Sequence, residues 1–322
     1  MSNLVSILIP VYNARPWVER AIKSALAQTW SNKEIIAVDD ASTDGSWDVL
    51  QAFASVVRIE RVTINGGQNV TRNRLTELSQ GEWLLYLDAD DELTPDCVAQ
   101  KMCCADEADA IYGTTNIQYF NGDVMVRSEV FPARVFEDPI AAAFHWKYPN
   151  TTSFMFRRSA VLEVGGWNEA IKNCTDYDLY FRLLVGAKRV GAAPDSVTIY
   201  RQWSRTQAVN EAPERKMLTR LELMWRIVLE LESTGQLSPQ SRESFASSAL
   251  AVIRILYTRN TVRACHEHRR LASWNPSFAP QKNMFPSGYR FAYRIFGFRM
   301  AEIIAALTRF FRPRPWEFDF SR

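Results

Sequence analysis

The sequence lacks several features by which large classes of protein are recognised. Its 38 Lys and Arg residues are nearly balanced by 36 Asp and Glu residues, and the net charge of +2 predicts no nucleic-acid partner. The five cysteines are an odd number without the spacing of a zinc site. We therefore expect reduced thiols in a cytoplasmic protein.

Long apolar runs are also missing. No stretch of about eighteen apolar residues is free of charge, which predicts that no helix spans a membrane. The first residues lead into an apolar run without the basic segment or cleavage site of a signal peptide, and we expect none. His266 and His268 are spaced wrongly for a metal pair on one helix face, so we expect both on a solvated surface.

The residues that are present indicate a globular α/β protein. Hydrophobic residues make up 47% and charged residues 23% of a 322-residue chain, which is long enough for more than one domain. Up to residue 91, short apolar runs alternate with helical periodicities, which is typical of βαβ units and a parallel sheet. Strands are predicted over residues 4–9, 34–38, 57–62 and 82–87. Helices are predicted over residues 15–29 and 69–78, and a further helix is predicted to follow Ser42, Thr43 and Asp44, which serve as its capping residues.

The pattern changes in the second half. Asn121-Gly122-Asp123 predicts a hairpin within residues 110–135. From Glu214 onward, apolar stripes at helical spacing dominate. We therefore predict an α/β domain over residues 1–210 and a helical C-terminal region over residues 211–322, with the boundary in the loop of residues 208–212 before Pro213.

Three polar clusters follow predicted strands and so share one edge of the sheet. They are Pro10-Val11-Tyr12-Asn13, Asp39-Asp40-Ala41-Ser42 and Asp88-Ala89-Asp90-Asp91. Each alone fits an ordinary turn, a helix N-cap loop or a solvated acidic turn. Because ligands of open parallel sheets bind outside the carboxyl ends of the strands, the common position of the clusters favours a binding site.

These side chains match the chemistry of a nucleotide diphosphate sugar. Tyr12 can stack on the base, Asp40 can accept a hydrogen bond from a base N–H, and Asp88 can hold the ribose. Asp90 suits Mg²⁺ or Mn²⁺, hard cations that prefer carboxylate oxygens and can be shared with the diphosphate. We therefore expect a nucleotide sugar as donor and a divalent cation as cofactor.

Six short motifs occur in order along residues 4–203. They are Val5-Ser6-Ile7-Leu8-Ile9-Pro10-Val11-Tyr12-Asn13, Val38-Asp39-Asp40-Ala41-Ser42-Thr43-Asp44, Arg72-Asn73, Leu87-Asp88-Ala89-Asp90-Asp91, Gly165-Gly166-Trp167-Asn168-Glu169 and Thr175-Asp176-Tyr177-Asp178-Leu179. In this order they resemble glycosyltransferase family 2. The resemblance implies the GT-A fold, a Rossmann-like and mainly parallel sheet flanked by helices, here with a C-terminal helical appendage.

The resemblance also implies roles for individual residues in donor binding. Pro10, Tyr12 and Asp40 would line the nucleotide base. Arg72 would approach the diphosphate, and Asp88 would contact the ribose.

Two further roles concern the reaction. Asp90 would bind the metal, and Asp176 would match the catalytic base. An inverting transfer needs such a base, because the acceptor hydroxyl loses its proton as it attacks the anomeric carbon. Without the resemblance, Asp176 fits equally well as the N-cap of the following helix.

The chain departs from the family pattern in three places. Thr175 stands where members commonly carry Glu before the base, which would alter the pKa or the support of Asp176. Trp203 follows Tyr200-Arg201 where many members carry His, so any metal or phosphate contact from that His is missing. Arg201-Gln202-Trp203 differs from the Gln-x-x-Arg-Trp motif of polymerising synthases, which favours a transferase of single sugars.

Two segments bear on the acceptor and the membrane. The segment of residues 144–158 is rich in aromatic and polar side chains. It forms either a wall for an acceptor sugar or, as is equally expected for Trp146, part of the core. Residues 294–312 predict an amphipathic helix, which either lies on an anionic membrane surface or packs on the protein. Its apolar face consists of Phe296, Met300, Ile303, Ile304, Leu307, Phe310 and Phe311.

The leading hypothesis is a cytoplasmic hexosyltransferase that moves one sugar from a UDP-sugar to a glycan or lipid-linked acceptor. Association with the inner face of the membrane stays open, as do the two interpretations of residues 294–312. Two alternatives stay open. One is a nucleotidyltransferase of similar fold, which has no need of Asp176. The other is a scaffold that binds a nucleotide sugar without catalysis.

Overall fold

We describe residues 3–203 and 213–311 of the protein from a computed structural model. The fold groups the chain into two units, one of residues 1–139 and 148–208 and one of residues 140–147 and 209–322. The predicted boundary loop of residues 208–212 lies outside the described residues. A division of the chain at residue 210 therefore stays a prediction.

Strands and helices alternate in the first unit, and helices make up the second. In chain order the described elements are β1 Val5–Val11, α1 Val18–Leu26, β2 Lys33–Asp39, α2 Ser46–Ala52, β3 Arg58–Arg61, α3 Gln68–Leu78, β4 Trp83–Tyr86, β5 Glu92–Leu93, α4 Cys97–Met102, β6 Ala110–Asn121, β7 Val124–Phe131, α5 Pro139–Phe144, a short 3₁₀ helix Thr151–Ser153, β8 Phe154–Arg157, α6 Arg158–Glu163, α7 Thr175–Val185, β9 Val190–Trp203, α8 Pro213–Ser233, α9 Pro239–Tyr257, α10 Thr261–Trp274 and α11 Ser287–Phe311.

The sheet of the first unit has the order β3-β2-β1-β4-β8-β6-β9-β5, and β7 pairs with β6. From β3 to β4 all neighbours are parallel, and Ile7 of β1 lies in register with Ile35 and with Leu85. β9 is parallel to β6, whereas β5, β7 and β8 run antiparallel to their neighbours. The N-terminal strands thus form the predicted parallel sheet, and the later strands make its far side mixed.

Burial explains why β1 is apolar at every position except Ser6. Ile7 and Ile9 pack into one cluster with Ile22 of α1. Ser6 and Leu8, which point to the other side of the sheet, are also fully buried. A strand buried on both faces reads as a continuous apolar run rather than an alternating one.

Most predicted elements are present with shifted ends. α1 begins three residues after the predicted start because Trp17 N donates to Ala14 O at 2.9 Å and closes a turn before the helix. α2 begins at Ser46, and its N-cap residue is Gly45, which makes no side-chain cap. Asp44 lies one position before the N-cap, and its Oδ1 accepts from Ser46 N at 2.9 Å. The predicted capping residues therefore lie outside the N-cap position. The hairpin between β6 and β7 turns at Gly122, which has φ +60°, so this prediction is confirmed.

Aromatic rings form the core of the second unit. Trp225 of α8, Phe245 of α9 and Trp274 of α10 pack edge to face, with ring centroids 4.8 to 5.9 Å apart. Phe144 of α5 joins them, 5.5 Å from Phe245.

The segment of residues 144–158 is therefore mostly interior. Phe144 belongs to the core of the second unit, and Tyr148 is buried in the first unit against Tyr112 and Phe154. Neither ring is available to stack on a sugar. The predicted acceptor wall is wrong for these two residues, because both rings are needed to fill hydrophobic cores.

His268 is not solvated as predicted. Its ring stacks on Phe298 with centroids 4.2 Å apart, and its Nε2 lies 2.8 Å from the hydroxyl of Tyr293. Burial lowers the pKa of His268 to about 4, so the side chain is neutral at pH 7. His266 is exposed, as predicted.

Two predicted absences concern cysteines and membrane spans. All five cysteines are free thiols. Within residues 3–203 and 213–311, none of the helices combines the length and the apolar character needed to cross a bilayer.

Leu85 provides a test of where the core of the first unit lies, because it is fully buried in the central strand β4. We expect Leu85→Ala to lower the free energy of unfolding by about 2–5 kcal/mol, since a cavity replaces buried methyl groups. Val126→Ala, at an exposed position of β7, should change it by less than about 0.5 kcal/mol. Urea denaturation followed by tryptophan fluorescence measures both, and equal losses would contradict this account.

Candidate active site

The loops that follow β1 and β2 are joined by hydrogen bonds. Asn13 N donates to Ser42 Oγ at 3.0 Å, and Asp40 N donates to Val11 O at 2.8 Å. These contacts hold the first two polar clusters side by side at the carboxyl ends of parallel strands. Tyr12 remains 53% exposed beside them, so its ring is accessible to a planar ligand.

Asp40 is buried, and its carboxylate shapes the loop before α3. Oδ1 accepts from Gly66 N at 2.8 Å, and Oδ2 accepts from Gly67 N at 2.9 Å. Gly67 has φ +87°, a conformation that would strain any residue with a side chain. Because an ionised carboxylate offers about four lone-pair positions, each oxygen can still accept one further hydrogen bond.

Arg72 of α3 is the charged centre of the site. Its side chain is fully buried, with Nη2 2.7 Å from Asp88 Oδ1 and Nη1 3.5 Å from Asp176 Oδ1. The guanidinium carbon lies 4.4 Å from the ring centroid of Trp167, which adds a cation–π contact. A buried guanidinium needs charged partners, and the partners here are the residues predicted to hold the ribose and to act as base.

Asp176 lies in the first turn of α7 without capping the helix. The N-cap residue is Cys174, and no side chain makes a capping hydrogen bond. The interpretation of Asp176 as an N-cap is therefore wrong. Its side chain keeps 30% of its surface exposed, so a hydroxyl group can reach it.

The surroundings of Asp176 adjust its affinity for a proton. Burial raises the pKa of the carboxyl above its ordinary value, while Arg72 and a hydrogen bond from Thr175 Oγ1 at 3.3 Å offset part of the rise. An aspartate with a raised pKa takes up a proton more readily, which suits a general base. Thr175 thus supports Asp176 directly, although it differs from the family's usual residue.

The Gly-Gly-Trp motif places Trp167 against Arg72. Asn73 Nδ2 donates to Trp167 O at 2.9 Å, and Asn73 Oδ1 accepts from Trp167 N at 2.8 Å. Gly166 has φ +68°, and a Cβ there would lie 2.8 Å from Asn73 Oδ1. The sequence pattern did not indicate this role, although the motif itself was visible.

Asp91 is a second residue to which the sequence pattern assigned no role. Its carboxylate is fully buried, and Oδ2 accepts from Asn150 Nδ2 at 3.0 Å and from Thr152 Oγ1 at 2.7 Å. Its own N–H donates to Asp88 O at 3.0 Å. Burial raises the pKa of Asp91 well above its ordinary value, and the charges of Asp90 and Asp88 raise it further. Asp91 therefore anchors the turn that presents Asp88 and Asp90.

The acidic turn fits a divalent cation by the chemistry of its donors. Asp88 and Asp90 lie in one turn and are both partly exposed, so the turn can offer carboxylate oxygens to a cation. In the part of the chain that the structure describes, no three His, Cys, Asp or Glu side chains are grouped to hold a metal by themselves. Mg²⁺ and Mn²⁺ can bind through one or two carboxylates when phosphate oxygens and water complete the shell.

Trp203, which replaces the family's usual His, has a packing role. Its ring lies 4.9 Å from that of Trp17 and 5.5 Å from that of Phe120, measured between centroids. The neighbouring Arg201 donates its backbone N–H to Asp91 Oδ1 at 3.1 Å. The end of β9 therefore helps to hold the acidic turn through this hydrogen bond to Asp91.

The structure brings the predicted site residues to one region of the first unit. Pro10 is half-buried near the end of β1, two residues before Tyr12. Asp40 donates its N–H to Val11, the last residue of that strand. Arg72 joins Asp88 to Asp176. Arg72 differs most from expectation, because its guanidinium is already paired with carboxylates. Its contact with a diphosphate stays a prediction. The predicted site residues that lie in this region are Pro10, Tyr12, Asp40, Arg72, Asp88, Asp90 and Asp176.

Comparison with known families agrees with these motifs. Residues 6–165 match the family described as glycosyl transferase family 2. The chain belongs to glycosyltransferase family 2. Membership confirms the family that the ordered motifs predict, and it confirms an enzyme of the glycosyltransferase class.

A curated relative of this family 2 chain is WcaA of Escherichia coli (strain K12), named as a colanic acid biosynthesis glycosyl transferase. The two are 30% identical over 197 residues, which are 56% of this chain and 66% of WcaA. The part that matches this chain is less than two thirds of the length of WcaA, and the same holds for three further relatives. This chain therefore spans only part of the length of these relatives.

Solved structures show the same fold. TarS 1–349 of S. aureus matches with a TM-score of 0.62 at 14% identity, over 96% of this chain and 92% of that TarS fragment. Its complex with UDP-GlcNAc gives 0.55 at 13% identity, over 86% and 93%. The mannosyltransferase PcManGT from Pyrobaculum calidifontis, solved with GDP-Man and Mn²⁺, gives 0.51 at 16% identity, over 96% and 87%. The predicted GT-A fold is confirmed.

The family 2 site offers a test of how Asp40 orders its neighbouring loop. We expect Asp40→Ala to speed amide hydrogen exchange at Gly66 and Gly67, because both N–H groups lose a carboxylate acceptor. The change should also lower the free energy of unfolding by at least about 1.5 kcal/mol. Asp48→Ala, at an exposed position of α2, is the matched control. Unchanged exchange in the Asp40 variant would show that the carboxylate does not hold this loop.

Proposed function

We propose that the protein is an inverting glycosyltransferase that moves one sugar from a nucleotide diphosphate sugar to a hydroxyl group of a glycan or lipid-linked acceptor. One observation carries the proposal: the buried guanidinium of Arg72 pairs with both Asp88 and Asp176. The residue expected to hold the donor and the residue expected to act as base therefore belong to one network. A displacement at a single anomeric carbon requires such proximity.

The donor would bind across the ends of β1, β2 and β4. Pro10 and the exposed ring of Tyr12 would line the base, Asp40 would accept from it, and Asp88 would hold the ribose. A UDP-sugar is the proposed donor, which the TarS complex with UDP-GlcNAc supports. The GDP-Man in PcManGT makes a GDP-sugar the alternative.

Asp90 would hold Mn²⁺ or Mg²⁺ together with the diphosphate, which the Mn²⁺ in PcManGT supports. When bound, such a cation stabilises the negative charge of a leaving diphosphate. Asp88 lies in the same turn, and Asp91 anchors that turn through its contacts with Asn150 and Thr152. Arg72 would add positive charge beside the donor and would approach the diphosphate.

Asp176 would take the proton of the acceptor hydroxyl as the hydroxyl oxygen attacks the anomeric carbon. The bond between that carbon and the diphosphate oxygen breaks in the same displacement, and the nucleoside diphosphate leaves. The configuration at the anomeric carbon is inverted as a result. Arg72 would keep Asp176 ionised before the reaction, because its charge opposes the rise in pKa that burial causes.

A cell-surface glycan is the proposed product, which the name of WcaA as a colanic acid biosynthesis protein supports. We place the catalytic domain in residues 1–210, since all the proposed site residues lie in the first unit. Residues 211–322 would serve as a helical appendage.

A donor screen tests this function. Purified protein is incubated with UDP-, GDP- and dTDP-sugars and Mn²⁺, and the release of nucleoside diphosphate is measured. We expect one donor to be turned over, and we expect Asp176→Asn to reduce the rate by about 10²–10⁴-fold. Asp90→Asn should reduce it as well and should weaken the response to Mn²⁺. Asp123→Asn, in the exposed turn between β6 and β7, should leave the rate unchanged.

The screen also separates the alternative functions. A donor that binds tightly without turnover would favour the scaffold. Release of pyrophosphate from a nucleoside triphosphate and a sugar phosphate would favour the nucleotidyltransferase. Undiminished release of nucleoside diphosphate in Asp176→Asn would contradict the proposed base.

The pH dependence of transfer follows from the pKa of Asp176. The base must be ionised, so activity should fall as the pH drops through a pKa raised above that of an ordinary aspartate. Thr175→Val removes a hydrogen bond to the carboxylate and should raise this pKa further. The acidic limb of the rate profile should therefore move to higher pH. Thr258→Val, at an exposed position after α9, is the control, and an unshifted limb in Thr175→Val would contradict the assignment.

A further inference from the structure

Within the second unit, helix α11 packs on α9 and α10 with its acidic residue facing inward. Glu302 is buried, and its Oε1 accepts from Arg254 Nε at 2.7 Å. Phe298 stacks on His268, and Ala301 is fully buried. These contacts determine which side of the helix faces the protein.

The outward side of α11 is apolar. Its large side chains keep 44% to 66% of their surface exposed, whereas a helix at a protein surface normally turns polar residues outward. Large apolar side chains that are exposed along one helix mark an interaction site. We call the following residues the α11 outer face: Phe291, Ile295, Phe296, Met300, Ile303 and Leu307.

The charges along the helix indicate the kind of partner. Ser287–Phe311 contains four arginines and one acidic residue, and that residue, Glu302, is paired with Arg254. Arg294 and Arg299 are exposed next to the outer face. Apolar side chains flanked by positive charge match an anionic lipid surface. The apolar side chains can enter the boundary of the acyl chains, and the arginines can pair with the headgroups. A second copy of the same face would instead bring arginine against arginine.

We propose that the α11 outer face binds the surface of a membrane that contains anionic phospholipid. The contact is interfacial, since no helix of the described ranges has the length and apolar character of a membrane span. Gly297, with φ +74°, divides α11 into two shorter segments that can each lie in the interface. This inference goes beyond the transfer reaction and does not depend on it.

Vesicle sedimentation with the full-length chain tests the inference. We expect binding to vesicles of phosphatidylcholine mixed with phosphatidylglycerol, and much weaker binding to phosphatidylcholine alone. The triple variant Met300→Glu, Ile303→Glu, Leu307→Glu should weaken the binding about tenfold or more, because carboxylates replace the apolar contacts. The matched control is the triple variant Val56→Glu, Leu229→Glu, Val262→Glu, which adds the same charge at exposed apolar positions elsewhere. It should bind the vesicles as the wild type does.

A second variant tests the electrostatic part. Arg294→Gln with Arg299→Gln should weaken binding by about fivefold for each arginine, and added salt should weaken binding of the wild type. Circular dichroism establishes that each variant is folded. The proposal is overturned if the wild type does not bind anionic vesicles, or if the triple Glu variant binds like its control. A dimer that the triple variant dissociates without any change in vesicle binding would assign the face to a second copy and would also overturn it.

Discussion

The site depends on the buried guanidinium of Arg72. Removing this charge from water is costly unless carboxylates pair with it. Arg72 meets this requirement by joining Asp88, just after β4, to Asp176, in the first turn of α7. Elements that are far apart in the sequence therefore meet at one point, and that point lies beside the ends of the parallel strands.

The neighbouring groups can be understood from this ion-pair network. Trp167 covers the guanidinium, and Asn73, the residue after Arg72, holds the backbone of Trp167 in place. The charge of Arg72 lowers the pKa of Asp176, while burial and the charge of Asp88 raise it. The donor side of the site and the proposed base are thus linked electrostatically. The charge of Asp88 therefore contributes to the pKa of Asp176.

Local patterns in the sequence were sufficient to predict the frame of the site. Apolar periodicity gives the strands, and parallel strands end at one edge, so the positions of Tyr12, Asp40 and Asp88 could be predicted together. The turn at Gly122 could be predicted for the same local reason. These features depend on neighbours in the sequence or on a general rule of sheet topology.

Contacts between distant residues could not be predicted in this way. The place of β8 between β4 and β6 depends on long-range pairing, as do the contacts of Asp91 with Asn150 and Thr152. For α11 the periodicity predicted an amphipathic helix but not which side faces inward. The inward side is determined by the pairing of Glu302 with Arg254, and this pairing leaves the apolar side exposed.

The measurement that tests the central claim most directly is a ¹³C NMR titration of the Asp176 carboxyl, identified by the signal missing in Asp176→Asn. Arg72→Gln removes the positive charge and should raise the pKa of Asp176, whereas Asp88→Asn removes a negative charge and should lower it. Arg72→Lys, which keeps the charge, should lie closest to the wild type. Shifts of opposite sign in the first two variants are the predicted result. An Asp176 pKa that is unchanged in both, or that moves in the same direction in both, would contradict the account.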